Sequence, residues 1–188
     1  MSENNVNMES ALSRIKYVME SSFQGENING YDMNLNFDFT IAESGEDVSP
    51  SDHLIILAEP KSWNKKIPGA SDWDPNSRVA GYVAIVDADY FTGLYDRYIG
   101  QEGPRTSAHE MGHLLGLGHR NHDTSNLMAQ GQSYKRGNDI NSTQLLTIQK
   151  SLISPTFLSA RLNHGNNRQY GMALYPFRFV KELFKDED

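Results

Sequence analysis

Apolar positions recur with helical spacing near the start of the chain. Ala11, Leu12, Ile15, Val18, Met19 and Phe23 share one face of residues 6–23, which predicts an amphipathic helix packed on a core. The period then changes. Over residues 31–41, Tyr31, Met33, Leu35, Phe37, Phe39 and Ile41 alternate with Asp32, Asn34, Asn36, Asp38 and Thr40, the pattern of a half-buried strand. Residues 53–58 (His-Leu-Ile-Ile-Leu-Ala) read as a more deeply buried strand, and residues 79–86 (Val-Ala-Gly-Tyr-Val-Ala-Ile-Val) as a further one. Between them, Pro60, Pro68-Gly69 and Asp74-Pro75-Asn76 mark residues 60–78 as loop.

A second helix is expected over about residues 104–115. Pro104, after Gly103, suits a first turn, where no backbone donor is needed. Ser107 and Glu110 also match a capping box. A helix beginning there would leave His109 in its first turn and tie Glu110 to the backbone, so the start is placed at Pro104. Leu114, Leu115 and Leu117 then cover the core side near its end. Residues 129–140 are a loop rich in Gly, Gln and Asn. Asn141 or Ser142 can cap a final helix over about 142–152, and Pro155 stops it. Residues 172–180 carry a strand-like run that Pro176 would confine to a sheet edge. Residues 177–188 end in mixed charge, the composition of a solvated helix. The whole reads as one α+β domain over 1–188, with a core of about 6–153 and an extension over 154–188.

The helix at 104–115 carries the chemistry. Residues 109–119 read His-Glu-Met-Gly-His-Leu-Leu-Gly-Leu-Gly-His. His109 and His113 lie four apart, one turn along one helix face, where both can grip one ion. Glu110 beside them is placed to take a proton from a water. Gly116 ends the helix in a conformation that a Cβ would disfavour. The chain then turns back and offers His119 from outside the helix. Three neutral imidazoles and a water make an open tetrahedral zinc site, of the catalytic rather than the closed structural kind. A lone histidine on an apolar face is usually a core residue; five matched positions are not explained that way.

This H-E-x-x-H-x-x-G-x-x-H run resembles the metzincin clan of zinc metallopeptidases, and residues 108–148 look most like its matrixin (matrix metallopeptidase-like) branch. The clan's methionine turn has a counterpart in Asn126-Leu127-Met128-Ala129, where Met128 would form an apolar floor beneath the ion. The resemblance implies a zincin-like fold: a twisted mixed sheet with an active-site helix and a C-terminal helix flanking a zinc cleft. It implies an endopeptidase using one catalytic zinc, with Glu110 as the general base and an extended substrate paired to an edge strand. Three features depart from the clan. Its first strand, ahead of the first helix, has no counterpart, unless residues 172–180 take its place. Gln130 stands where some members carry a zinc-binding or oxyanion-binding Tyr. The upstream His-x-Asp pattern of the matrixin structural zinc is missing. Tyr134 falls in the loop that walls the specificity pocket and is a candidate specificity residue. Lys135 and Arg136 follow it and read as a solvated pair.

Composition narrows the setting. With 38% hydrophobic and 22% charged residues, the 188-residue chain suits one globular domain, and a mean hydropathy of -0.59 argues against a membrane span. A formal charge of -7 disfavours nucleic acid and anionic membrane as partners and says little about peptides; a peptide or protein substrate is what the resemblance implies. The absence of cysteine rules out disulfides, thiolate ligands and matrixin-type latency through a cysteine within this chain. Residues 1–10 do not read as a signal peptide, whereas the clan's setting implies an extracellular or periplasmic location after processing. Asp72, Asp74, Asp87 and Asp89 are candidate calcium ligands by their oxygen chemistry, but no loop signature accompanies them. His53, His122 and His164 are isolated and read as structural or exposed. Two alternatives stand beside a general peptidase: a narrow-target effector or toxin domain excised from a larger secreted protein, and a non-cleaving zinc-binding module on the same scaffold.

Overall fold

A computed structural model describes residues 6–28, 31–48, 52–58, 69–71, 82–92, 102–130 and 136–153. Tyr134, Lys135, His164, Asp72, Asp74 and the extension over 154–188, including the strand-like run at 172–180, lie outside them. The first helix, α1 (Met8–Ser22), begins at Asn7, whose side chain accepts the Ser10 N–H at 2.9 Å and satisfies a donor that the first turn leaves open. Ala11, Ile15, Val18, Met19 and Phe23 are buried as their spacing predicts, and Leu12 is half-buried. Strands β1 (Gln24–Ile28) and β2 (Tyr31–Asn34) then form an antiparallel hairpin.

The strand expected over 31–41 is therefore shorter than its pattern suggests. Residues 35–42 belong to no strand, yet Leu35, Phe37, Phe39 and Ile41 stay half-buried while Asn36, Asp38 and Thr40 are exposed. Extended backbone with one face on the core keeps the two-residue period without ladder partners. Phe37 meets Phe23 edge-on at 5.3 Å, which anchors this segment to the end of α1. β1 was not legible, because Gln-Gly-Glu-Asn-Ile has no apolar alternation.

The main sheet has the order β3-β5-β4. β3 (Leu54–Ala58) runs parallel to β5 (Val83–Asp87), with Leu54 opposite Val83 and Ala58 opposite Asp87. The short β4 (Gly69–Ser71) is antiparallel to β5 and forms the other edge. β4 lies within the stretch read as loop, since three small residues carry too little side chain to show a strand period. The deep burial expected of β3 is not found, since it lies at a sheet edge and is mostly half-buried, whereas central β5 is buried throughout. The described residues form a small α+β fold with a mixed three-stranded sheet and three α-helices.

Helix α2 (Glu102–Leu114) packs against α1, β5 and β4 and is buried along its whole length. It starts two residues before the expected position, which still leaves Pro104 in the first turn. The Ser107 hydroxyl donates to the Gly103 carbonyl at 2.9 Å, one turn back, so Ser107 is interior to the helix and not its cap. Helix α3 (Ser142–Ile153) is capped by Asn141: its Oδ1 accepts the Gln144 N–H at 3.0 Å, and Gln144 Oε1 accepts the Asn141 N–H at 3.1 Å. Among the described residues, no helix is long and apolar enough to cross a membrane.

Candidate metal centre

The end of α2 positions the third histidine. Gly116 has φ of +90°, in the left-handed region. Its N–H donates to the His113 carbonyl, and the Leu117 N–H donates to the Gly112 carbonyl, both at 2.9 Å. These paired bonds close the helix as a Schellman motif and reverse the chain. An added Cβ at Gly116 would lie 2.6 Å from the Ser151 hydroxyl on α3, so the turn also sits tightly against that helix. Leu114, Leu115 and Leu117 are buried as expected, and they seat the turn while His119 swings back over the helix face.

His109, His113 and His119 converge, with one ligand atom from each lying within 4.8 Å of the others. His113 and His119 bring their Nε2 atoms to 3.0 Å. Two imidazoles on one tetrahedral ion at 2.0–2.1 Å would set their nitrogens about 3.3–3.4 Å apart, so the spacing fits a shared ion. The outer nitrogens have fixed partners. His109 Nδ1 meets the Leu127 carbonyl at 2.8 Å and His113 Nδ1 meets the Leu117 carbonyl at 2.7 Å. A carbonyl only accepts, so each Nδ1 carries the proton and each Nε2 turns a lone pair toward the centre. Burial pushes His109 down to about 3 and His113 down to about 4, and it lowers His119 as well. Neutral imidazoles are the ligand form, and this donor set suits a transition-metal ion. His109 and His113 are buried, whereas His119 is exposed, which leaves the centre open on one side.

Glu110 is 6% exposed and lies under β4. Burial pushes its carboxyl up to about 7, opposed in part by a hydrogen bond from the Ser71 side chain. A Cβ at Gly69 would come within 2.9 Å of Glu110 Cγ and Oε1 and within 2.6 Å of Thr106 Cγ2. Glycine thus lets the edge strand rest directly on the glutamate. Met128 is fully buried and packs against the helix backbone at Gly112, where a Cβ would lie 2.5 Å from its sulfur. That places it against α2 at the residue before His113.

The segment holding Met128 is built from polar contacts that the motif did not show. Asn126 and Gln144, both buried, exchange amide hydrogen bonds at 2.7 and 3.1 Å. Asn126 Oδ1 also accepts the Met128 N–H at 3.0 Å. Arg105, 5% exposed, donates from Nη2 to the Leu127 and Asn126 carbonyls at 2.9 and 3.3 Å and from Nε to the Gly137 carbonyl at 3.1 Å. Burial first, then the nearby Arg136 charge, lowers the Arg105 guanidinium to about 10. Arg136 is not the solvated residue expected: its side chain is 7% exposed, 3.5 Å from Glu102 and bonded to the Ala129 carbonyl at 3.1 Å.

The remaining candidates fall elsewhere. Gln130 exchanges hydrogen bonds with Asn121 at 3.1 Å. His53 stacks on Tyr82 at 5.8 Å, and His122 is exposed. Asp87 caps the short 3-10 turn Ala88–Phe91 by accepting the Asp89 N–H at 2.9 Å, a local structural role. Among the described residues, the only group of three or more His, Cys, Asp or Glu able to share an ion is the histidine triad. Comparison of the chain with protein-family models, curated proteins and solved structures gives no match.

Proposed function

We propose that this chain is a zinc-dependent endopeptidase of the metzincin type on a zincin-like fold. The observation carrying this reading is a buried glutamate one residue from a three-imidazole cluster that is open on one side. A structural metal site needs no such carboxylate. The edge strand supports the same reading, because β4 runs beside Glu110 and offers backbone groups to an extended peptide.

His109, His113 and His119 would hold the ion, each through an imidazole nitrogen. Zinc in that position supplies Lewis acidity toward a peptide carbonyl and hydroxide-like reactivity at neutral pH. Glu110, beside the histidines and buried beneath β4, takes the proton of the attacking water and returns it to the departing amine as the C–N bond breaks. Ser71 holds the carboxylate beneath β4 while that proton moves. Met128 keeps the floor of the centre apolar and dry.

Mass-spectrometric profiling of a mixed peptide library tests the reading, with wild type, chelator-treated wild type and Glu110→Gln side by side and zinc measured on each. Cuts should appear only with untreated wild type, and Glu110→Gln should keep its zinc while losing roughly 100- to 10,000-fold in rate. Cuts that survive chelation, or a folded chain without zinc affinity, would overturn it. Zinc bound with no cuts at all would favour the non-cleaving module. Cuts confined to a single protein would favour the narrow-target effector.

A further inference from the structure

The Leu127 carbonyl receives two hydrogen bonds. One comes from His109 Nδ1 at 2.8 Å and the other from Arg105 Nη2 at 2.9 Å. Arg105 and His109 are four residues apart on α2, so the cation sits one helical turn below the ligand it flanks. The other Arg105 bonds reach the Asn126 and Gly137 carbonyls. One planar guanidinium therefore gathers both arms of the loop, on either side of Met128, against the ligand helix. We propose that Arg105 is a positioning residue for the metal centre: it fixes the Leu127 carbonyl where only the Nδ1–H tautomer of His109 can bond it, and so presets the His109 Nε2 lone pair for the ion.

The alternatives for that carbonyl are poor. Residues 117–130 contain no regular helix or strand to hold Leu127 by a ladder. Its backbone is tied on the other side by the Leu127 N–H donating to the Asp139 carbonyl at 2.8 Å. Asp139 is in turn two residues from Gly137, whose carbonyl Arg105 also holds. Lysine in place of arginine keeps charge and stem but is a point donor without the planar fork, and cannot match all three carbonyls.

The proposal rests on the metal-centre reading, and the test separates the two. The 188-residue wild type, Arg105→Lys, Arg105→Ala and His113→Ala are compared by zinc competition with a chromophoric chelator and by visible spectra of their cobalt forms. Imidazole nitrogen NMR of the apo proteins reads the His109 tautomer. Expected for both Arg105 variants are a 10- to 100-fold weaker zinc affinity, an altered cobalt spectrum and a mixed His109 tautomer, with near-ultraviolet CD retained in Arg105→Lys. His113→Ala should lose tight binding altogether. Zinc affinity within twofold of wild type and an unmixed tautomer in Arg105→Lys would overturn the proposal while leaving the metal centre intact. Loss of native CD in both Arg105 variants would make Arg105 a staple of the fold and overturn it too. Failure of wild type to bind zinc would overturn both readings.

Discussion

Gly116 is the joint on which His119 turns, and its replacement by alanine can be costed from two separate contributions. The first is conformational. A φ of +90° is a backbone state that alanine occupies at a cost of about 1 kcal/mol or somewhat more. The second is steric. The new Cβ would stand 2.6 Å from Ser151 Oγ but 3.4 Å from Ser151 Cβ, an ordinary contact. Relieving that overlap by turning the half-buried Ser151 costs about 1 kcal/mol, at the low end of overpacking. The sum is about 2 kcal/mol, or a fall in Tm of about 4–8 °C for a domain of this size. A thermal-unfolding cycle with Gly116→Ala, Ser151→Ala and the double variant separates the parts. Removing Oγ should recover about 1 kcal/mol as coupling energy, and the conformational part should remain. Zinc affinity should fall in both Gly116 variants, since the turn delivers His119. An unaltered Tm in Gly116→Ala would mean that residue 116 does not adopt the left-handed state. An equal cost in both backgrounds would mean that the turn does not abut α3.

Three further outcomes are expected. Gly69→Ala should lower kcat/KM on any cleaved peptide while leaving zinc content at one per chain, because the new Cβ lands on Glu110 and Thr106 and not on a histidine; equal loss of metal would refute that division. Asn126→Ala should lower stability by about 2–3 kcal/mol in denaturant unfolding, since Gln144 and the Met128 N–H both lose a buried partner; a change under 0.5 kcal/mol, roughly the level of a neutral surface substitution, would refute it. Asp87 has its carboxyl raised by burial, so the folded state binds its proton more tightly than the unfolded chain does. Stability from this group is therefore present below its ordinary 3.8 and lost as pH rises through the folded value, and Asp87→Asn should be at least as stable as wild type at neutral pH and gain nothing at pH 3. A variant less stable at neutral pH than at pH 3, each relative to wild type, would contradict the sign.

The parts of this molecule that sequence alone revealed share one property: their evidence is periodic or motif-bound. α1 follows from apolar spacing, α3 from its capping residue, and the histidine triad from a helix turn plus a glycine. Gly116 was legible because a left-handed turn selects for a missing Cβ. The strand lengths were not, since Leu35, Phe37 and Phe39 continue their alternation without ladder partners, and β4 consists of three small residues. The structural roles of Arg105 and Asn126 left no local signal either. Each works through contacts 18 to 32 residues away in the chain, and a polar residue bound for the interior looks in sequence like one bound for solvent. Arg136 shows the error directly: beside Lys135 it reads as surface charge, yet it is buried against Glu102. Only the N-cap geometry of α3 hints at Gln144, as the third residue after a capping Asn.

Gln144 serves two masters, completing the Asn141 cap and holding Asn126 beside Met128. Synthesis runs in one direction, and this residue is made 25 positions after His119. At 5–20 residues per second, a nascent chain carries all three histidines for about 1–5 s before the amide that braces their floor has been made. During that interval the histidines are present, but the segment bearing Leu127 and Met128 lacks its anchor on α3. Birth order thus leaves the floor of the histidine cluster unbraced until α3 has been made, later than the cluster's own residues.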